Sequence, residues 1–474
     1  MNDIEKFRAH AHDLVNWMAD YFKEIESYPV KSQVKPREIY SQLPADPPAE
    51  GEDFQNIMDD FNRIIMPGMT HWQHPSFHAY FNANNSFPSI LGEMLTATLG
   101  SQCMIWDTSP AAAELEEKIM EWLKQMMVLP NEWHGVIQDT ASTSTLVAIL
   151  SARERFTNFQ ININGFSGQS DMIFYCSEEA HSSVEKAVKI AGFGSKNLHK
   201  IKVDSSFAMI PEKLEKQIQK DITLGLQPIG VIAAAGTTST LAMDPLRPIG
   251  NICKKYELWY HIDAAYAGNT LVLPEKQSLF DGLELADSFV FNPHKWMFTN
   301  FDASAYFVRD KNALISTFEI LPEYLKTRSV SETNNYRDWG IQLGRRFRAL
   351  KLWFVIRSYG VNGIKDTFRK HIALTGQFKD FLDQDSRFEI MAPVDFNLVC
   401  FRYTPEKISD EKTIDKLNEQ ILESINKTGK AYVTHTRLNG KYTIRFIAGQ
   451  TRIEKAHIDK FINLLKDTIE EIVE

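Results

Sequence analysis

Leu258-Trp259-Tyr260-His261-Ile262-Asp263 and, further on, Phe289-Val290-Phe291-Asn292-Pro293-His294-Lys295-Trp296 are short apolar runs, each ending at a residue equipped for chemistry. Continuous apolar runs of this length, bounded by polar residues, read as strands buried on both faces. Similar runs occupy residues 172–176 and 231–235, with helical patterns at 183–191 and 245–256 between them. Short strands alternating with helices predict an α/β fold, a mostly parallel sheet covered on both faces. Ligands of such sheets collect at the carboxyl ends of the strands. Asp263, Asn292 and Thr237-Thr238 all fall at such ends.

Outward from this centre the chain changes character. Phe7, Ala11, Leu14, Met18 and Phe22 recur at helical spacing, and a proline-rich stretch follows from Tyr28 to Gly51. A helix plus an extended arm has little core of its own, so it is expected to pack on another domain or a second subunit. Residues 327–338 are polar and read as a mobile loop before a long helix, and the last hundred or so mix strand and helix patterns. The expected domains are an arm at 1–82, a large domain at 83–363 and a small α/β domain at 364–474.

A chain of 474 residues exceeds one core, and 43% hydrophobic with 24% charged content is that of a soluble globular protein. A net charge of −9 with no block of like charge argues against nucleic-acid or anionic-membrane partners. Cys103, Cys176, Cys253 and Cys400 are far apart and form no C-x-x-C, the usage of buried thiols in a reducing compartment. The opening Met1-Asn2-Asp3-Ile4-Glu5-Lys6 has no apolar core, and no stretch approaches a membrane span, so a cytoplasmic location is expected.

Three constellations add chemistry. Asp139-Thr140-Ala141-Ser142-Thr143-Ser144-Thr145 opens a helix with more hydroxyls than one cap requires, which suits a phosphate seated on free N–H groups. No G-x-G-x-x-G follows a strand, and no G-x-x-x-x-G-K-[ST] is present, which disfavours a dinucleotide or nucleoside triphosphate. His181 follows the strand ending at Cys176; alone it reads as a helix start capped by Ser182 or Ser183. His71, His74 and His78 invite a metal reading, but Pro75 interrupts the helix that would align them and no acidic residue is interleaved. No metal is expected. The amine of Lys295 and the strand-end carboxylate of Asp263 are what a pyridoxal phosphate (PLP) site needs, one to hold the aldehyde and one to keep the ring nitrogen protonated.

Taken in order, Thr140-Ala141-Ser142, Ala180-His181-Ser182-Ser183, Gly236-Thr237-Thr238, His261-Ile262-Asp263-Ala264-Ala265-Tyr266-Ala267-Gly268 and Asn292-Pro293-His294-Lys295-Trp296 resemble the group II PLP-dependent amino acid decarboxylases. The similarity is greatest to aromatic-L-amino-acid decarboxylases. It extends to His74-Pro75 and Ala79-Tyr80-Phe81 on one side, and to Pro322-Glu323-Tyr324-Leu325-Lys326 and Gly344-Arg345-Arg346-Phe347-Arg348 on the other.

The resemblance implies a PLP-dependent transferase type I fold with a mostly parallel seven-stranded sheet, and a homodimer with shared active sites embraced by the N-terminal helix. It implies that Lys295 holds the cofactor, Asp263 meets the ring nitrogen, and Ala265 and His181 sandwich the ring. Ala141, Ser142, Asn292 and His294 would hold the phosphate, with Thr238 near the ring. Tyr324 would deliver the proton to Cα, and Arg337 matches the family's arginine on the same segment. Related aldehyde synthases carry Phe at that tyrosine or another residue at the histidine, so Tyr324 and His181 together favour the amine product. Trp72, Tyr80, Phe81, Gln102 and Met104 are expected at the substrate. Here the chain departs from the family: Asn82-Ala83-Asn84-Asn85, Gln102 and Met104 make the ring-binding end more polar, and Gly344 leaves room for a bulky ring. No additional Arg or Lys stands in the aromatic segment to meet an acidic substrate. The other readings are decarboxylation of a different amino acid, an aldehyde synthase, and a PLP-fold module without activity.

Overall fold

The computed structural model describes residues 3–169, 171–320 and 333–473. Two compact units emerge. One gathers residues 1–82, 373–391 and 399–474; the other gathers 83–372 and 392–398. This division differs from the three consecutive segments expected from sequence. The arm is not a separate piece, because its backbone is bonded into the C-terminal region. Val30 donates to the Gly429 carbonyl (2.7 Å), His78 donates to that of Tyr432 (2.9 Å), and Ile447 donates to that of His78 (3.2 Å). Backbone groups of the arm are thus satisfied by residues 429–432 and Ile447, distant in sequence.

That first unit is built on a four-stranded antiparallel sheet, Phe388–Ile390 (β8), Leu398–Tyr403 (β9), Thr434–Leu438 (β10) and Lys441–Ile447 (β11), in the order β10-β11-β9-β8. His71, His74 and His78 belong here, and each is engaged within the protein. The His71 Nδ1 pairs with the Tyr21 hydroxyl, the His74 Nδ1 accepts the Ser76 N–H, and His78 donates to the Ile447 carbonyl.

The larger unit carries the predicted sheet. Its strands are His134–Gln138 (β1), Met172–Ser177 (β2), Leu198–Ile201 (β3), Gln227–Ala234 (β4), Trp259–Asp263 (β5), Ser288–Phe291 (β6) and Ser304–Val308 (β7). They lie in the order β1-β7-β6-β5-β4-β2-β3. β7 alone runs against its neighbours, so the other six point their carboxyl ends to one edge. β2, β6 and β7 are buried throughout, which is why they are apolar without alternation. The helix Ala141–Phe156 lays Val147, Ala148 and Ala152 against Phe174, Ile232, Val290 and Tyr306 in one core.

A buried ion pair fixes the segment that follows the undescribed stretch. Both Arg345 terminal nitrogens meet the Glu116 carboxylate (3.0 and 2.6 Å), and one also donates to the Ile137 carbonyl on β1 (2.7 Å). Residues 336–338, expected within a mobile loop, are buried. Their flanking rings decide this: Tyr336 and Trp339 stack edge-on at 5.3 Å and join the core beneath Ala141–Phe156.

Candidate active site

Each predicted cofactor residue in the larger unit leaves the sheet at the same edge. β1 runs into the helix Ala141–Phe156 and β2 into Ser182–Ile190, whereas β5 and β6 run into tight turns bearing Ala265 and Lys295. At the first of these helices Thr140 is the cap, its hydroxyl accepting the Thr143 N–H at 3.4 Å. The Ser144 hydroxyl is also used locally, against Ser304 at 3.2 Å. Capping therefore absorbs part of the hydroxyl surplus. Among the described residues no acceptor meets the N–H groups of Ala141 and Ser142, which stand at the positive end of a sixteen-residue helix. Free N–H groups at a positive helix end suit an anion.

His181, not Ser182 or Ser183, caps the next helix: its Nδ1 accepts the Ser183 N–H at 3.2 Å. A ring nitrogen that accepts an N–H carries no proton, so the neutral ring holds its proton on Nε2. Burial pushes the His181 pKa below its usual value, with the Asp263 carboxylate opposing and the Lys295 ammonium assisting. Three residues from three separate strands thus share one electrostatic neighbourhood. Lys295 is held below its ordinary pKa by burial, against the pull of Asp263. A buried amine that gives up its proton more readily is a better nucleophile toward an aldehyde. The Asp263 Oδ1 accepts the Ala265 N–H at 3.1 Å, which fixes the carboxylate at the end of β5.

Asn292 donates its N–H to the Ala265 carbonyl (2.9 Å), and its own carbonyl accepts the Lys295 N–H (3.0 Å). Its buried Oδ1 has no hydrogen-bond partner among the described residues. The His294 Nδ1 accepts the Ala303 N–H at 2.9 Å, and burial drives its pKa to about 3. Thr238 is exposed at the end of the β4 turn. The Asn84 side chain donates to the Lys295 carbonyl (2.8 Å), a contact across 211 residues that sequence reading missed.

The expected substrate residues are not gathered in one unit. Trp72, Tyr80 and Phe81 belong to the first unit, where the Trp72 and Tyr80 rings stack 5.8 Å apart and the Tyr80 hydroxyl meets that of Tyr432 at 3.2 Å. Gln102 is exposed, its Oε1 accepting the Arg345 N–H at 2.6 Å, and half-buried Met104 accepts the Arg337 N–H at 2.9 Å. Arg337 itself is buried; its Nε meets Asp338 at 3.2 Å, while its Nη1 has no partner among the described residues. Tyr324 lies outside the described residues.

Residues 36–404 match the family model described as the pyridoxal-dependent decarboxylase conserved domain. The chain belongs to this family. It is a PLP-dependent carboxy-lyase. It is 42% identical to tyrosine decarboxylase 2 of Narcissus pseudonarcissus, over 98% of this chain and 94% of that one. It is 41% identical to tryptophan decarboxylase 2 of Oryza sativa subsp. japonica, over 98% and 95%. Among solved structures, Oryza sativa TDC with PLP and tryptamine superposes with a TM-score of 0.97 at 35% identity, covering 100% of this chain and 99% of that one.

The pyridoxal-dependent decarboxylase edge fits its cofactor on its own terms. A buried amine stands beside a fixed carboxylate, the N–H groups at a helix start are unpaired among the described residues, and the buried Asn292 Oδ1 is unsatisfied. Buried polar groups in folded proteins are nearly always paired, so open atoms beside this amine suit a polar ligand.

Proposed function

We propose that this decarboxylase acts on an aromatic L-amino acid, namely tryptophan, phenylalanine, tyrosine or dihydroxyphenylalanine, releasing carbon dioxide and the arylalkylamine. The observation that carries the chemistry is the shared electrostatic neighbourhood of His181, Asp263 and Lys295. Identities above 40% with a tyrosine and a tryptophan decarboxylase support the aromatic class.

Bound at this edge, PLP supplies an electron-withdrawing ring that takes up the electron pair left by the departing carboxylate. Lys295 would hold the cofactor aldehyde through its amine. Asp263 keeps a proton on the ring nitrogen. His181, neutral and oriented by Ser183, would face the ring together with Ala265, offering its Nε2–H. Ala141, Ser142, Asn292 and His294 hold the phosphate, and Thr238 lies near the ring. Tyr324 delivers the proton to Cα; a phenol of ordinary pKa about 10 keeps its proton at neutral pH. Arg337, Gln102 and Met104 shape the substrate end.

The working form we propose is a cytoplasmic homodimer with shared sites. Its support is surface chemistry: Phe87, Leu91 and Leu99 of the helix Phe87–Leu99 are 56%, 54% and 60% exposed, and Ile4–Lys23 buries no residue. Apolar stripes of this kind mark association surfaces.

The deciding experiment incubates purified protein and PLP with the four amino acids and reads carbon dioxide and amine. Release from at least one is expected; silence on all four ends the proposal. Tyr324→Phe should slow amine release and let aldehyde and peroxide appear, and an unchanged product distribution removes Tyr324 from proton delivery.

A further inference from the structure

We propose that Asn269 is a positioning residue for Lys295, locking the turn that carries the lysine onto the turn that carries Asp263 and Ala265. The inference rests on the reading of Lys295 as the cofactor lysine and adds to it a residue that no motif singles out.

Asn269 is fully buried in the turn after β5. Its Nδ2 donates to two carbonyls, that of Tyr266 in its own turn (2.8 Å) and that of Asn292 at the end of β6 (3.2 Å). The Asn292 carbonyl also accepts the Lys295 N–H at 3.0 Å. One oxygen therefore receives the backbone of the lysine on one lone pair and Asn269 on the other. In the opposite direction the Asn292 N–H donates to the Ala265 carbonyl at 2.9 Å, so the two turns are stitched twice.

The turns also press together. A Cβ at Gly268 would stand 2.7 Å from the Phe291 Cβ and 3.0 Å from the Ala264 Cβ, so only glycine lets the β5 turn reach the end of β6. The plainer reading of Asn269 is a cap on its own short turn. The Tyr266 contact fits that reading, and the Asn269 backbone N–H already bonds the same carbonyl (3.3 Å). The Asn292 contact does not fit it, because it crosses to another loop and ends on the carbonyl that accepts the Lys295 N–H. Removing the amide leaves the β5 turn capped while the Asn292–Pro293 peptide, which anchors the Lys295 N–H, loses its outer tether. Catalytic groups must be held within about half an ångström of their working position, so loosening this peptide should act on the lysine first.

The test uses Asn269→Leu and, as a second variant that keeps the shape but has no donor, Asn269→Asp. Full-length apo-protein is mixed with PLP and quenched at timed intervals with borohydride, and the pyridoxyl-labelled Lys295 peptide is quantified by mass spectrometry. Labelling of Lys295 about 10-fold or more slower in whichever variant folds, with kcat reduced similarly and KM within about two-fold, is the expected result. Labelling and kcat at the wild-type rate in a folded variant overturn the positioning role, as does a lower unfolding temperature accompanied by unchanged labelling per folded molecule. If the wild type is labelled at some other lysine, or at none, it is the assignment of Lys295 that falls.

Discussion

The two edges of the seven-stranded sheet are both polar, yet they are finished differently. At the amino-terminal edge the charges close on one another. Asp287 receives Arg155 (2.9 Å) on one oxygen and the Tyr260 N–H (2.8 Å) on the other, and Arg155 covers the Trp259 ring at 5.4 Å. At the carboxyl-terminal edge the circuits stay open. Asn292 Oδ1, Asn269 Oδ1 and Ser177 Oγ are buried without a hydrogen-bond partner among the described residues, and Lys295 is buried beside a carboxylate. Each unsatisfied buried group costs roughly 1–3 kcal/mol, so the carboxyl edge is less stable than it could be. Unpaired atoms beside the Lys295 amine and the Asp263 carboxylate leave pairing for a polar ligand to complete.

The comparison breaks most sharply at Lys295. Lys295→Ala should lower kcat/KM for carbon dioxide release by on the order of 10⁴-fold or more, because the group that holds the cofactor is gone. Asp263→Asn should cost on the order of 10²–10³-fold, since the ring nitrogen loses its anionic partner while the cofactor is still retained. Both are read from initial rates on the best substrate of the panel. If Asp263→Asn retained full activity, the open edge would have no electrostatic role.

A change that touches neither edge's chemistry but unpins their support comes next. Arg345→Met leaves Glu116 buried and unpaired and frees the Ile137 carbonyl. Breaking a buried pair from one side typically costs about 3–5 kcal/mol, measurable as a shift in the urea midpoint. Replacing both partners by apolar residues of similar volume should recover most of it, because no uncompensated charge remains.

Much of this was written locally. The apolar runs ending at Asp263 and Asn292, the hydroxyl-rich helix start and His181 placed the sheet and the cofactor edge, because strand ends, caps and titratable residues leave short-range signatures. Contacts between distant residues left none. The arm's bonds to Gly429 and Tyr432 made one unit of what reads as two, Asn84 reaches Lys295 across the sequence, and Asn269 looks like any turn residue. The buried Tyr336-Arg337-Asp338-Trp339 segment read as a loop because its polar neighbours outnumber two aromatic rings, although those rings were the available sign.

Proton linkage gives a smaller, graded contrast. Burial lowers His261 to about 4 and His294 to about 3, against a usual value of 6.5. Below pH 6.5 the unfolded chain takes up protons that these folded rings refuse. Their stability contribution is complete above pH 6.5 and falls as pH drops toward 4, by up to about 1.4 kcal/mol per pH unit for each histidine. Urea midpoints at pH 7 and pH 5 should converge for His261→Asn relative to wild type, as one histidine leaves the sum. Parallel pH profiles would mean that His261 titrates alike in both states.

The closed edge should answer least. Arg155 is 48% exposed, and its pairing with Asp287 is correspondingly screened by water. Arg155→Ala also uncovers the Trp259 ring, but Asp287 keeps its bond to the Tyr260 N–H and, at 13% exposure against 3% for Glu116, is in reach of water. The expected loss is under about 1 kcal/mol, shrinking further in high salt, with kcat and KM within about two-fold of wild type. Thermal unfolding at low and high ionic strength, run beside the decarboxylation assay, measures both. A loss of several kcal/mol with unchanged kinetics would show that closed circuits carry more of the fold than their exposure allows. A large drop in kcat with intact stability would instead connect the two edges through the strands between them.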